Sequence, residues 1–380
     1  MPLNFKPMTF IIPFHQPWDR PADFQRQTCL RLAKNHRVIA LLESEGVFWL
    51  KALWLWIKGF RTHLPNSNGH LSFSRPIYLL PGKRWPPIHQ LNQQLWLWWL
   101  WLKLHAQPKQ NQVWLWLFEP NFWFYPTTIP NWRSLYDCVD DHTQINSHQN
   151  PVIKLSESVL ILNVNLFVTN SQVLADLHSK TRLVDKVVVQ GFDTALWPKQ
   201  LPKLPKNQTS LLLIGALDER IDWSLLKYLA KQLPKLVFNL AGPIDSKVKP
   251  VFDQLVKESN VIYHGVLARE KLTQLLKEAT ICLIPYRNQL LSVKNSFPMK
   301  VLEYFAFGKS VIACPITELK HYRQNLIIAE TKAEWLQAIK SLIDVPAPKS
   351  ERQLQRQTAW QHRYEQKLNQ ILNLIQTEES

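Results

Sequence analysis

Glycine is scarce in this chain of 380 residues: nine in all, with no G-x-G anywhere. A dinucleotide fingerprint and a P-loop both need closely spaced glycines, so both are excluded as written motifs. The four cysteines, Cys29, Cys138, Cys282 and Cys314, form no C-x-x-C pair. That excludes the common zinc-ribbon and thioredoxin-type spacings and reads as a reduced, cytoplasmic protein. No D-x-D triplet occurs. The first residues lack the basic stretch and long apolar core of a signal peptide. No run reaches eighteen uncharged apolar residues, so no membrane-spanning helix is expected. Residues 47–60 are interrupted by Lys51 and Lys58, and 95–102 is too short. Charged residues make up only 19% against 46% hydrophobic, which excludes a disordered chain.

What is present is positive charge and tryptophan. The formal net charge is +16, which favours anionic partners such as phosphates or an anionic membrane surface. Nucleic acid is not an expected partner, because no zinc spacing, RNP run or basic helix accompanies the charge. Most of the 17 tryptophans precede residue 150. The runs 52–60 and 95–104 fit buried core. They also fit an interfacial face, in which Lys51, Lys58, Arg61, Lys83, Arg84 and Lys103 would meet anionic lipid.

Strands alternate with helices along the chain. In the first half, apolar β-rich runs at 8–14, 37–42, 113–118, 135–139, 167–169 and 187–189 predict strands, with helices over 23–34 (Asp23 its cap) and 171–180. Pro198, Pro202 and Pro205 then punctuate a linker. In the second half, strands are expected at 210–214, 236–240, 261–264, 281–284 and 310–313. Helices are expected at 223–232, 249–258, 269–278, 299–307, 333–343 and 350–375. Such alternation with short connections means parallel sheets covered on both faces, which bind ligands at the carboxyl ends of their strands.

One segment is rich in chemistry: Asn295, Ser296, Phe297, Pro298, then Lys300 and Glu303. Pro298 suits a first helical position, and Ser296 or Asn295 can cap it. A helix start attracts anions, and Lys300 puts a full cation where the dipole alone prefers an acid. Glu303 shares a face with Lys300. The layout suits a nucleoside diphosphate, with phosphates at the helix end and ribose hydroxyls on Glu303. The competing reading is an ordinary exposed Lys–Glu pair at an ordinary helix start.

The run P-M-K-V-L-E-Y-F-A-F-G-K-S-V-I (298–312) resembles the P-x-K-x-x-E-Y-x-A-x-G-K-P-V-[IV] signature of family-4-type bacterial glycosyltransferases, those of teichuronic acid and exopolysaccharide biosynthesis. Upstream, 214–223 (I-G-A-L-D-E-R-I-D-W) is similar to their first C-domain strand and loop. Leu240-Ala241-Gly242-Pro243, Tyr263-His264-Gly265 and Leu283-Ile284-Pro285-Tyr286 resemble the ends of the next three strands, in the family's order. In the first half the likeness is weaker. Trp18-Asp19, Tyr136-Asp137-Cys138-Val139-Asp140-Asp141, Val168-Thr169-Asn170-Ser171 and Gln190-Gly191-Phe192-Asp193 carry it. Departures are His15-Gln16-Pro17-Trp18 for a glycine-rich loop, Asn295 for a glutamate eight residues before Glu303, and Ala216 for an arginine.

The resemblance implies an α/β fold of the GT-B type: two Rossmann-like parallel-sheet domains facing a cleft, with a C-terminal helix crossing back to the first. The expected domains are 1–198 on the acceptor side, 199–349 binding a nucleotide-sugar, and 350–380 packing on the first. The implied activity is transfer from a nucleoside-diphosphate sugar to a hydroxyl of a saccharide or lipid-linked saccharide, with retention, in cell-surface polysaccharide synthesis. Donor contacts fall on Gly215, Arg220, Asn295, Ser296, Phe297, Pro298, Lys300 and Glu303. Asp140, Asp141 and His142 are the catalytic candidates of the first domain. No metal and no cofactor are expected. The expected location is the cytoplasm, peripheral at the inner face of the cell membrane. A catalytically altered scaffold and a sugar-nucleotide epimerase of the same fold are the rival readings.

Overall fold

The computed structural model describes residues 7–15, 18, 24–42, 70–76, 78, 80, 85–105, 112–129, 131–145, 148–205 and 210–379. The expectations placed on 47–60, on Gln16, Pro17, Asp19 and Asp23, and on Lys51, Lys58, Arg61, Lys83 and Arg84 lie outside them. The chain divides into two compact units: residues 1–170, 174–188 and 368–380, and residues 171–173 and 189–367.

The first unit is built on seven parallel strands: β1 (Thr9–Pro13), β2 (Arg37–Leu41), β3 (Leu71–Ser74), β4 (Val113–Leu117), β5 (Arg133–Cys138), β8 (Leu166–Thr169) and β9 (Lys186–Val187). Between β5 and β8 a small hairpin joins β6 (Gln144–Ile145) to β7 (His148–Gln149). The order in the large sheet is β3-β2-β1-β4-β5-β8-β9. Successive side chains of a strand point to opposite faces, and both faces here are covered. Phe10, Ile12, Trp114 and Trp116 enter one core, with Cys29 and Leu32 of the helix Phe24–Leu32 and Leu368, Ile371 and Ile375 of the last helix. Ile11, Leu115 and Leu117 enter the other, with Leu97, Leu100 and Leu104 of Pro86–His105 and Leu160 and Ile161 of Pro151–Asn163. The tryptophan-rich run 95–104 is thus core on one face only. Trp96 and Leu100 are core, while Trp98 is 40% and Leu102 59% exposed.

The second unit carries six parallel strands: β10 (Ser210–Ile214), β11 (Val237–Ala241), β12 (Val261–Tyr263), β13 (Ile281–Ile284), β14 (Ser310–Ala313) and β15 (Ile327–Ile328). Their order is β12-β11-β10-β13-β14-β15, so the direction of winding reverses between β10 and β13. In open sheets of this kind, ligands bind beyond the carboxyl ends of the strands at that reversal. Gly215 and Pro285-Tyr286 stand there. Gly242 follows β11 at φ +144°, and a Cβ on it would lie 2.0 Å from the Gly215 carbonyl oxygen. Gly242→Ala is expected to cost about 2–4 kcal/mol through backbone strain and overpacking. Chemical denaturation followed by circular dichroism checks it, and an unchanged midpoint contradicts it.

Two expected boundaries move. The units part at Val188/Val189 rather than at 198/199, because the proline linker is tied into the second unit. Arg352 and Arg356, on the helix Lys349–Gln361, donate to the carbonyls of Pro202 and Pro198, and Arg356 lies 4.4 Å over the Trp197 ring. The terminal stretch is two helices, Lys349–Gln361 and Tyr364–Glu379, not one over 350–375. Phe192 causes the break. Its N–H donates to the His362 carbonyl at 3.0 Å, and its own carbonyl accepts from the Tyr364 N–H at 3.2 Å. Residues 350–367 therefore belong to the second unit, and only the last helix from Leu368 enters the first.

Candidate functional site

The site in the second unit assembles around Tyr286, just past β13. Its buried ring carries two cations, Lys300 Nζ at 4.9 Å and the Arg220 guanidinium at 5.6 Å from the centroid. An amine held over a ring face interacts with the ring quadrupole. Gly215, at φ +104°, leaves room for Lys300: a Cβ there would sit 3.1 Å from its Nζ. Glycine suits this turn for the backbone angle, and a Cβ would also press on the end of the lysine.

The Lys300 ammonium is buried and has no hydrogen-bond partner among the described residues. Burying an ammonium without a hydrogen bond is costly, and this one also stands in the first turn of Lys300–Ala306, against the helix dipole. An anion at this position would remove both penalties.

Glu303 is one turn along the same helix and only partly exposed. Burial pushes its carboxyl up to about 7, against the pull of Lys300, while Asp193 raises it further and Arg269 lowers it. Asp193 and Arg269 form an ion pair of their own. Arg220 is less available than its charge suggests: Asp218 grips it with both oxygens, at 2.6–3.1 Å. The loop holding Arg220 is fixed by Arg287 N–H to the Arg220 carbonyl at 2.7 Å and by Asp222 N–H to the Pro285 carbonyl at 2.8 Å.

The expected cap is not formed. The Ser296 hydroxyl donates back to the Val293 carbonyl at 2.9 Å, and Asn295 ends the short turn Leu291–Lys294. Phe297 and Pro298 are buried, with Phe297 against Tyr322 at 5.7 Å. The helix begins at Lys300 rather than 299, and the N–H groups of Val301 and Leu302 are taken by the carbonyls of Pro298 and Met299. The first turn is therefore closed, and the donor left without a hydrogen bond there is the Lys300 ammonium.

Three contributors were not singled out from the motif. Tyr286 is the platform, and Arg269 faces Glu303. The buried Tyr304 hydroxyl accepts the Ile214 N–H at 3.1 Å, fixing the residue before Gly215. Tyr286 is signalled only as the end of the Leu283-Ile284-Pro285-Tyr286 likeness, Arg269 only as a helix start, and Tyr304 by its step beside Glu303.

In the first unit, Asp140, Asp141 and His142 follow β5. Asp140 is exposed. Asp141 is buried and accepts from the Thr143 hydroxyl at 2.6 Å and its N–H at 3.2 Å, which makes it a turn former. His142 Nε2 is buried with no hydrogen-bond partner among the described residues. Beyond β1 and β4, where this sheet reverses, a cavity of about 60 Å³ is lined by His15, Tyr78, His89 and Gln93, among others. In the second unit a larger, open groove of about 700 Å³ runs along Ala195–Lys203 and includes none of the residues around Tyr286.

Residues 208–344 match the family model described as Glycosyl transferases group 1. A Bacillus subtilis (strain 168) protein assigned to teichuronic acid biosynthesis as the glycosyltransferase TuaH is 24% identical over 205 residues. That match covers 49% of this chain and about half of the relative, 51% of its length. Among solved structures, sucrose-phosphate synthase from Thermosynechococcus elongatus superposes with a TM-score of 0.72 at 13% identity, covering 97% of this chain and 98% of that one. Anabaena HepE in complex with UDP and glucose superposes with a TM-score of 0.66 at 14% identity, covering 98% and 100%. The fold is GT-B.

Proposed function

We propose that this chain, GT-B in fold and with a group 1 glycosyl transferase match in its second unit, transfers a sugar from a nucleoside diphosphate to a hydroxyl acceptor. The observation that carries the reading is the buried Lys300 ammonium between Gly215 and Tyr286, which has no hydrogen-bond partner among the described residues. It stands beyond the strand ends at the reversal of winding, three residues from a carboxyl. The difficulty of the reaction is charge accumulating on the departing diphosphate, and a fixed cation in a poorly hydrated place stabilises it most. Lys300 takes that role, supported by Arg220, and Glu303 accepts from the two ribose hydroxyls. HepE, of similar fold, was solved with UDP and glucose, which supports this class of donor.

In the proposed transfer the bond from the anomeric carbon to the leaving phosphate oxygen breaks. The acceptor oxygen bonds to the same face, and its proton passes to that phosphate oxygen. The outcome is retention, and neither a strong protein base nor a metal is needed for the step. Asp140 and His142 hold sugar hydroxyls, with Asp141 keeping their turn in shape. The teichuronic acid relative supports a place in cell-surface polysaccharide synthesis, with a saccharide or lipid-linked saccharide as acceptor. Incubation with UDP-, GDP- and TDP-sugars and a panel of such acceptors tests the reading. The expected product keeps the donor's anomeric configuration. Altered sugar-nucleotide without acceptor means an epimerase instead, and no turnover with any pair means a scaffold.

No helix of the described residues is long and apolar enough to cross a membrane. A surface contact at the inner face of the membrane is part of the proposal, because Leu91, Trp98 and Leu102 form one exposed stripe on Pro86–His105, beside Lys103. The protein is expected to float with anionic vesicles more than with neutral ones, and Trp98→Glu with Leu102→Glu to reduce it. Failure with both kinds of vesicle contradicts this part.

A further inference from the structure

Three side chains from three elements of the first unit converge on the face of the sheet covered by Pro151–Asn163. Cys138 ends β5, Glu157 lies in Pro151–Asn163, and His178 ends the helix Gln172–His178. All are buried, at 0%, 1% and 7% exposure. Cys138 Sγ lies 3.8 Å from Glu157 Oε1 and 3.9 Å from His178 Nε2, and the last two are 3.7 Å apart. The three atoms make a nearly equilateral triangle. Its centre is about 2.2 Å from each corner, which matches zinc bonds of about 2.3 Å to sulfur and about 2.0–2.2 Å to imidazole nitrogen and carboxylate oxygen.

The surroundings fit a ligand set better than a closed hydrogen-bond cluster. The Tyr136 hydroxyl donates to Glu157 Oε1 at 2.5 Å and is also hydrogen-bonded to the Cys138 thiol, so it positions two of the three groups, as outer partners of metal ligands do. An oxygen has a second lone pair for a cation. Glu157 Oε2 is buried and has no hydrogen-bond partner among the described residues, and the same holds for His142 Nε2 in the loop four residues after Cys138. A divalent cation held by the carboxylate would compensate the buried Glu157 oxygen that has no hydrogen-bond partner.

We propose that Cys138, Glu157 and His178 bind one zinc-class divalent cation in the first unit, with water at the fourth position. The thiol gives its proton to solvent as the metal–sulfur bond forms. The ion ties the end of β5 to two helices and so steadies the loop of Asp140, Asp141 and His142. Its role is structural, and it is separate from the donor chemistry of the second unit.

The test uses the full, untagged chain stripped with a chelator. Titration with Zn²⁺ is expected to show one ion per chain, bound below about micromolar, with a rise in melting temperature. Co²⁺ is expected to give a thiolate-to-metal charge-transfer band, absent in Cys138→Ala. His178→Ala is expected to weaken zinc at least about a hundredfold and to lose the thermal shift. Should the variants fail to fold, the wild type decides alone: no stoichiometric zinc and no thiolate–cobalt band overturn the proposal. Zinc binding that survives His178→Ala unchanged overturns it as well.

Discussion

Lys300→Ala is expected to lower turnover with a nucleotide-sugar by about 10²–10³-fold, the usual loss when one pre-set donor to a developing oxyanion is removed. The amine is buried, has no hydrogen-bond partner among the described residues, and is held over Tyr286 close against Gly215. Its position is set by the fold before any ligand arrives, so no reorganisation is needed when charge builds up. The loss should be specific to phosphate. The variant should bind the free nucleoside diphosphate much more weakly and the nucleoside as well as wild type does. An ordinary exposed Lys–Glu pair predicts something different: under about 1 kcal/mol of stability and no change in binding. Paired titrations with diphosphate and nucleoside separate the two outcomes.

Glu303→Gln is expected to weaken donor binding at least about tenfold, or ~1.4 kcal/mol, while making the protein more stable at alkaline pH. The carboxyl is raised from 4.5 to about 7, chiefly by burial. A group raised in the folded state favours folding fully below its unfolded value, and that contribution is lost as pH rises through 7. At pH 8 the wild type therefore holds an ionised carboxylate in a poorly hydrated place, which the amide avoids. The variant should gain on the order of 1–3 kcal/mol there, and the gain should vanish below about pH 4.5. Donor affinity runs the other way. The ribose diol needs the carboxylate as a double acceptor, so wild-type affinity should rise from pH 6 to 8 and the variant's should stay flat. Denaturation and titration at both pH values check the two signs, and a variant destabilised at pH 8 contradicts the account.

The second unit was legible because its strands are punctuated. Gly215, Gly242 and Gly265 follow three of them and Pro285 a fourth, so apolar runs of strand length end where the residues say they end. The first unit was harder. Pro86–His105 has tryptophan and leucine on its outer as well as its inner face, which hides the helical period, and Pro151–Asn163 likewise exposes Val152, Leu155 and Leu162. Neither was expected as a helix. The short β3 carries only Leu71 as a buried residue and gives no strand signal. The terminal helix breaks without proline or glycine, because Phe192, far away in sequence, bridges to Arg363. The same limit applies at the site. Lys300 and Glu303 were readable as a local pair, but Tyr286, Arg269 and the Tyr304 hydroxyl reach them only through the fold. The absent cap at Ser296 had a local rival, the Val293 carbonyl, that residue type alone does not rank.

The central claim is that the second unit binds a nucleoside diphosphate sugar through Lys300 and Glu303. Calorimetric titration of the full chain and of Lys300→Ala with UDP-, GDP- and TDP-sugars tests it most directly. The account predicts one saturable site for at least one donor in the wild type, weakened about a hundredfold or more by the substitution. No binding of any donor, or equal affinity in the two proteins, would contradict it.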